Sequence, residues 1–178
     1  MTYPKKDPLL AIAQVILALC IALFIFLAAM MLIGLGALLT VGREEVMAEL
    51  GTAGAPDAVY WAVAGVLALL VVLFLAVLRF LLELLGIVKS VHRGDPFEPE
   101  NAARLSRMGW ITVAGYGIAV VIGSIATWIK TVSGEAGKDI DVDIGLDGGG
   151  ILLILVLFIL ARVFRQGAAM REDLEGTV

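Results

Sequence analysis

Three aspartates in the last third of the chain form the pattern most typical of a cation site. Asp139, Asp141 and Asp143 alternate with apolar residues, and this period of two predicts a short strand. Carboxylates are the hard oxygen ligands that calcium prefers. A calcium-binding hand, however, needs glycine where this chain has Ile144 and glutamate where it has Gly150. We interpret the segment as a solvated acidic surface, with calcium binding as the alternative.

A second group of ionisable residues lies near the ends of apolar runs: Arg79, Glu83 and Arg162. Ionisable residues inside a membrane are costly and often form proton relays or substrate contacts. The simpler interpretation is that Arg79 and Glu83 pair on one helix face, because they are spaced i,i+4. The arginines would then reach the membrane surface along their aliphatic stems. No apolar run carries a charged residue at its centre, which argues against an ion pump or a proton-coupled carrier.

The usual catalytic motifs are missing from the sequence. His92 is the single histidine and Cys20 the single cysteine, which leaves little material for a metal site with nitrogen or sulfur ligands. Residues 134–138 (GEAGK) resemble a phosphate loop but are too short and lack the following Ser or Thr. Neither G-x-S-x-G nor H-E-x-x-H occurs. We therefore predict a protein that is not an enzyme and that holds no metal or cofactor.

The elements that position these residues are four long apolar segments. Apolar residues make up 61% of the chain, and the mean hydropathy of +1.01 requires lipid as the solvent. The predicted spans are residues 9–41, 58–82, 108–129 and 148–164, against the roughly 20 residues that cross a bilayer. Runs of this length predict helices rather than barrel strands. We predict an all-α integral membrane bundle, one domain over residues 1–178, whose main partner is the lipid bilayer.

A polar connection, residues 92–110, separates the second span from the third. Gly94, Asp95 and Pro96 predict a firm helix end, and Pro99 suits the first turn of a new helix. The expected arrangement is therefore a helix-turn-helix-like connection. A short surface helix is predicted at residues 43–50 in the first loop.

The distribution of basic residues predicts the orientation. Of the 13 Lys and Arg residues, ten lie at the termini or around the central connection: Lys5, Lys6, Arg79, Lys89, Arg93, Arg104, Arg107, Arg162, Arg165 and Arg171. The two other loops hold Arg43, Lys130 and Lys138. Under the positive-inside rule, both termini and the connection are cytoplasmic. The net charge of -4 argues against direct binding of nucleic acid.

Two further sets of residues are predicted to place the spans. The aromatic residues expected at the membrane interface are Tyr60, Trp61, Trp110 and Trp128. Small residues recur every fourth position in the third span, at Gly115, Ala119 and Gly123. Such a stripe lets a neighbouring helix approach closely, so we predict a helix-packing surface there.

The connection and the C-terminal residues resemble a known family. The motif in the connection consists of Gly94, Asp95, Pro96 and Phe97 (GDPF), followed by Pro99, Glu100, Asn101, Ala102, Leu105, Gly109 and Trp110. The chain closes on residues 167–178 (GAAMREDLEGTV), a glycine, a short amphipathic turn and an acidic-Leu-x-x-Val tail. Both are similar to domain-of-unknown-function family 2975, an uncharacterised bacterial membrane family. The resemblance implies a multi-pass inner-membrane protein, frequently encoded beside a small helix-turn-helix regulator, and implies no catalytic residues.

Two functions remain open at this point. The first is an interaction or regulatory module whose cytoplasmic surface docks a partner, such as that regulator, through Arg93, Asp95, Phe97, Glu172 and Asp173. In the purely structural alternative, GDPF is a tight turn whose Phe97 packs under the bundle. The second function is a small transport or permeability protein acting as a homo-oligomer. It is motivated by the glycines of span three and by the similarity of residues 72–80 (VLFLAVLRF) to residues 156–164 (VLFILARVF).

Overall fold

A computed structural model describes residues 8–52, 56–133 and 148–175 of the chain. These residues form five α-helices and no strand: α1 (Pro8–Thr40), α2 (Arg43–Thr52), α3 (Ala58–His92), α4 (Pro99–Val132) and α5 (Gly148–Glu175). All but α2 are long and apolar enough to cross a membrane. The predicted all-helical fold with four candidate spans is confirmed, and the chain is a multi-pass membrane protein. The predicted acidic strand and the segment 134–138 lie outside the described residues.

Gly42 joins the first two helices. Its N–H donates a hydrogen bond to Ala37 O at the end of α1 (2.9 Å), and its carbonyl accepts one from Val46 N–H in α2 (3.0 Å). Glu44 and Glu45 occupy the first turn of α2, where negative charge complements the positive end of the helix dipole. The short helix predicted in the first loop is confirmed as α2.

A glycine motif ends α3 and sets the direction of the chain into α4. Gly94 has a φ of 86°, which the missing Cβ permits. The Gly94 N–H donates to Val91 O at 3.0 Å, and the Asp95 N–H donates to Ser90 O at 3.1 Å. This pair of bonds is the Schellman arrangement, which satisfies the last carbonyl groups of a helix. The predicted break is confirmed, and α4 begins at Pro99.

Three hydroxyl groups in the membrane-spanning part of α4 bond within their own helix. Each of three donors reaches the carbonyl one turn earlier: Thr112 Oγ1 to Met108 O (2.9 Å), Ser124 Oγ to Val120 O (2.8 Å) and Thr127 Oγ1 to Gly123 O (2.8 Å). An unbonded hydroxyl is expensive in hydrocarbon, where water is absent. These bonds let polar residues remain in a membrane-spanning helix.

The polar residues that follow Phe164 continue α5 instead of forming a separate tail. The helix runs unbroken to Glu175. We therefore divide α5 into an apolar part and a C-terminal extension, residues 166–175. The predicted fourth span ended at residue 164, so the sequence did not predict this extension, whose first turn contains the contact between Gly167 and Phe97 described below.

The chain divides into two compact units. Unit 1 takes α1 up to Phe24, the chain from Ala76 to Val113, and α5. Its buried centre joins α4 to α5 through Leu105, Met108, Leu157 and Ala161, against which Phe80, Leu84, Ile87 and Phe164 pack. Unit 2 contains the rest of α1, α2, and the remaining parts of α3 and α4. The single domain over residues 1–178 stays a prediction.

Candidate functional site

The turn between α3 and α4 is attached to the C-terminal extension within unit 1. The Phe97 ring packs on Phe164 with ring centroids 5.5 Å apart. It also lies against Gly167, where an added Cβ would come within 2.7 Å of Phe97 Cδ1. A second contact joins Arg171 Nη1 to Asp95 Oδ1 at 2.5 Å. An aromatic ring in a glycine socket and an ion pair therefore connect the GDPF motif to α5.

A buried asparagine holds the turn from inside. Asn101, in the first turn of α4, is fully buried, as is Ser90 in the last turn of α3. Asn101 Nδ2 donates to Ser90 Oγ (2.5 Å) and to Pro96 O (3.0 Å). One amide thus links α3, the turn and α4. Sequence reasoning missed this pair, although a small polar residue on each side of a Gly-Asp-Pro break is the signal that could have found it.

A buried carboxylate pairs with arginines of α3 and α4, more than two helical turns away from the α3–α4 turn. The Glu83 residue is only 5% exposed. Its Oε1 lies 2.7 Å from Arg79 Nη2 and 3.3 Å from Arg107 Nη1. Its Oε2 lies 4.0 Å from Arg104 Nε. The Arg79–Glu83 pair was expected from its i,i+4 spacing on α3. Arg104 and Arg107 belong to α4, so residue spacing along α3 could not predict their pairing with Glu83.

A second carboxylate completes this cluster, which we call the arginine cluster. Glu100 pairs with Arg107 and lies 3.9 Å from Arg104 Nε. The Arg104 guanidinium is seated on Gly86, where a Cβ would come within 2.5 Å of Nη1. Three guanidinium groups thus meet two carboxylates. Such a group can bind an anion, and among the described residues no three His, Cys, Asp or Glu side chains come together as a metal-binding group.

The predicted partner-binding residues fall into two places. Arg93 pairs locally with Glu98, at 3.0 Å from Nη2 to Oε2. Asp95 and Phe97 contact the C-terminal extension, which also presents Glu172 and Asp173 on its exposed surface. The structure therefore brings the turn and the acidic residues to one part of unit 1. Their role in binding a partner stays a prediction.

The two adjacent aromatic residues at the start of α3 differ in their surroundings. Tyr60 is 1% exposed, and its hydroxyl donates to Leu38 O near the end of α1 at 2.9 Å. Trp61 is exposed, and the Arg43 guanidinium lies over its ring at 5.7 Å from the centroid. Tyr60 thus connects α1 and α3 within unit 2. The sequence predicted only an interfacial position for this residue and not this packing role.

The other predicted packing and interface residues lie on α4. Trp110 is 64% exposed, with its ring edge-on to Phe158 at 5.6 Å, and Trp128 is also exposed. In the small-residue stripe, the Cβ position of Gly115 lies 3.5 Å from Leu73 Cδ1. Ala119 is half-buried and Gly123 is buried. The interface role and the packing role stay predictions.

An open groove follows α1 and α3 in unit 2. Its volume is about 440 Å³, and its lining consists of apolar residues and a glycine: Leu27, Met30, Met31, Gly34, Leu35, Leu38, Leu67 and Phe74. Long, flexible methionine side chains adapt to irregular apolar shapes. This lining suits hydrocarbon chains.

Comparison with known proteins places the chain in a family. No curated protein and no solved structure matches it significantly. A family model matches residues 39–178, which include the turn, the arginine cluster and the C-terminal extension. The match covers far more than half of the chain. The protein therefore belongs to the family described as Protein of unknown function (DUF2975).

Proposed function

We propose that this protein is a non-enzymatic interaction module of the bacterial inner membrane that docks a cytoplasmic partner and thereby regulates it. The supporting observation is the attachment of the GDPF turn to the C-terminal extension through Phe97 and Asp95. The two segments that the sequence singles out for binding form one surface rather than two separate loops. A surface assembled from fixed elements binds a partner with less loss of conformational freedom.

The cytoplasmic side is the proposed location of this surface. Ten of the 13 basic residues lie at the termini or around the central connection, and the positive-inside rule assigns such segments to the cytoplasm. The orientation has its own test in a background with Cys20 replaced by alanine. A membrane-impermeant thiol reagent should label cysteine placed at exposed Thr131 in intact cells. Cysteine placed at exposed Ala169 should be labelled only after lysis.

The chemistry of the surface favours a basic partner. Glu172 and Asp173 are adjacent and exposed on the extension. Opposite charges across an interface raise the rate of association and select among partners. A small DNA-binding regulator carries a basic surface of this kind, and the family resemblance implies such a regulator as a neighbouring gene product. Binding to this membrane protein would hold the regulator away from DNA.

The test measures binding of that purified regulator to the protein in lipid nanodiscs. The variant E172Q/D173Q removes two exposed charges, and we expect roughly tenfold weaker binding from the loss of two exposed ion pairs. The matched control is E44Q/E45Q, which removes two exposed charges from α2. Equal affinity of both variants would refute the assignment of this surface, and no binding by the native protein would refute the proposed partner.

The apolar groove of unit 2 supports a second candidate function, passage of a small amphiphile. Replacing Gly34, which lines the groove, by leucine should slow the flux of an amphiphilic dye through protein-containing vesicles. Replacing Gly36 by leucine is the matched control, because it adds the same side chain outside the groove lining. Flux that does not exceed that of protein-free vesicles would exclude this function.

A further inference from the structure

The arginine cluster marks the end of two apolar runs. On α3, no charged residue separates Ala58 from Leu78, and Arg79 follows directly. On α4, Arg107 precedes the apolar run that begins at Met108. Arg79 Nη2 and Arg107 Nη1 lie 2.7 and 3.3 Å from Glu83 Oε1, so the ends of the two apolar runs meet at one carboxylate. In a bilayer that buries both runs, this level would lie near the border of the hydrocarbon, next to the lipid headgroups.

The arginine cluster carries a net positive charge. Three arginines face two glutamates, so the group has an excess of one positive charge. The Arg79 side chain is 56% exposed and that of Arg107 is 43% exposed, whereas the Glu83 side chain is 5% exposed. A guanidinium has several N–H donors in one plane. Glu83 therefore attracts the two guanidinium groups by ion pairing, although its Oε1 has no hydrogen bond of good geometry among the described residues, and part of each guanidinium group stays exposed.

We propose that Arg79 and Arg107 bind the phosphate headgroup of an anionic phospholipid. The planar guanidinium matches two oxygens of a phosphate group, which a simple point charge does not. Arg104, whose side chain is 22% exposed and lies against Gly86, adds a third positive charge to the same cluster as Arg79 and Arg107.

Two observations favour a lipid over a soluble anion. Trp110 is 64% exposed one turn along α4 from Arg107, as expected of a ring lying among headgroups. The positive-inside count also assigns this level to the cytoplasmic leaflet, whose anionic lipids are attracted to basic groups. The bound lipid would be a specific one, because the two arginines are held at a set separation by one carboxylate.

The test titrates delipidated protein in neutral detergent with phosphatidylglycerol or phosphatidylcholine and counts bound lipid by native mass spectrometry. The native protein should prefer phosphatidylglycerol. The variant R79Q/E83Q/R107Q should bind it roughly 30-fold more weakly, since each arginine near an anionic surface contributes about 1 kcal/mol and about 1.4 kcal/mol corresponds to tenfold. Glu83 is neutralised with its partners so that no buried carboxylate remains unpaired.

The control R162Q/R165Q/E172Q makes the same change in net charge on α5. It should bind phosphatidylglycerol within about threefold of the native protein. An equal loss in both variants would show attraction to overall charge and overturn the proposal. Equal affinity of the native protein for the two lipids would also overturn it, as would displacement of the lipid by millimolar inorganic phosphate. If the triple variant unfolds, the milder R79Q should still show about fivefold weaker binding.

Discussion

Replacing Asn101 by alanine tests whether one buried amide holds the α3–α4 turn. The amide makes two hydrogen bonds, 2.5 Å to Ser90 Oγ and 3.0 Å to Pro96 O, and the residue is fully buried. Each bond contributes about 1 kcal/mol, and leaving the Pro96 carbonyl without its partner adds on the order of 1 kcal/mol. Asn101 Oδ1 is buried without a hydrogen-bond partner among the described residues, so its removal offsets about 1 kcal/mol.

The expected result for N101A is therefore a loss of about 2 kcal/mol in the free energy of unfolding. A suitable assay is SDS titration of the protein in mixed micelles, followed by far-ultraviolet circular dichroism. S90A removes the acceptor for Asn101 and also the bond that Ser90 Oγ donates to Ile87 O at 2.7 Å, but it keeps the Asn101–Pro96 bond. We therefore expect a loss of about 1–2 kcal/mol. S124A is the control, since that exposed hydroxyl bonds only within α4 and should change stability by less than about 0.5 kcal/mol.

The order of the three losses is the critical result. If N101A unfolds with the same free energy as S124A, the amide does not hold the turn and the reasoning fails. If S90A is as stable as the native protein, the bond between Asn101 and Ser90 does not link α3 to α4. Either result would also weaken the proposed docking surface, because a loose turn does not present Asp95 and Phe97 at a fixed position.

Two further substitutions each test one contact, G167A in unit 1 and Y60F in unit 2. G167A should lower the free energy of unfolding by about 1–3 kcal/mol, because the new Cβ would come within 2.7 Å of Phe97 Cδ1. In the control G117A the new Cβ has no atom within 4 Å, so the free energy of unfolding should stay the same or rise by about 0.5–1 kcal/mol. If G117A loses as much stability as G167A, the loss does not come from contact between residue 167 and Phe97. Y60F should lose about 1 kcal/mol with the bond to Leu38 O, and unchanged stability would show that the hydroxyl does not fasten the helices.

Local chemistry in the sequence predicted the four apolar helices and the end of α3. Residues 9–41 carry no charge, so this segment was predicted to lie in lipid. Gly94, Asp95 and Pro96 predicted the end of α3 correctly, because a helix end depends on hydrogen bonds among neighbouring residues. The same local reasoning found the Arg79–Glu83 pair. It did not find the helical extension to Glu175, which is accompanied by a contact between Gly167 and Phe97 from another element.

The pairing of helix faces lay beyond the sequence for a physical reason. In water, an apolar stripe shows which face of a helix is buried, but lipid is as apolar as the protein interior, so a span can be apolar on every side. The sequence by itself determined the class of protein, the spans, the turn and the distribution of charge. Only the tertiary structure decided that Glu83 meets Arg104 and Arg107, that Asn101 meets Ser90, and that the turn meets α5. Those contacts join residues of different helices, and no spacing along one helix encodes them.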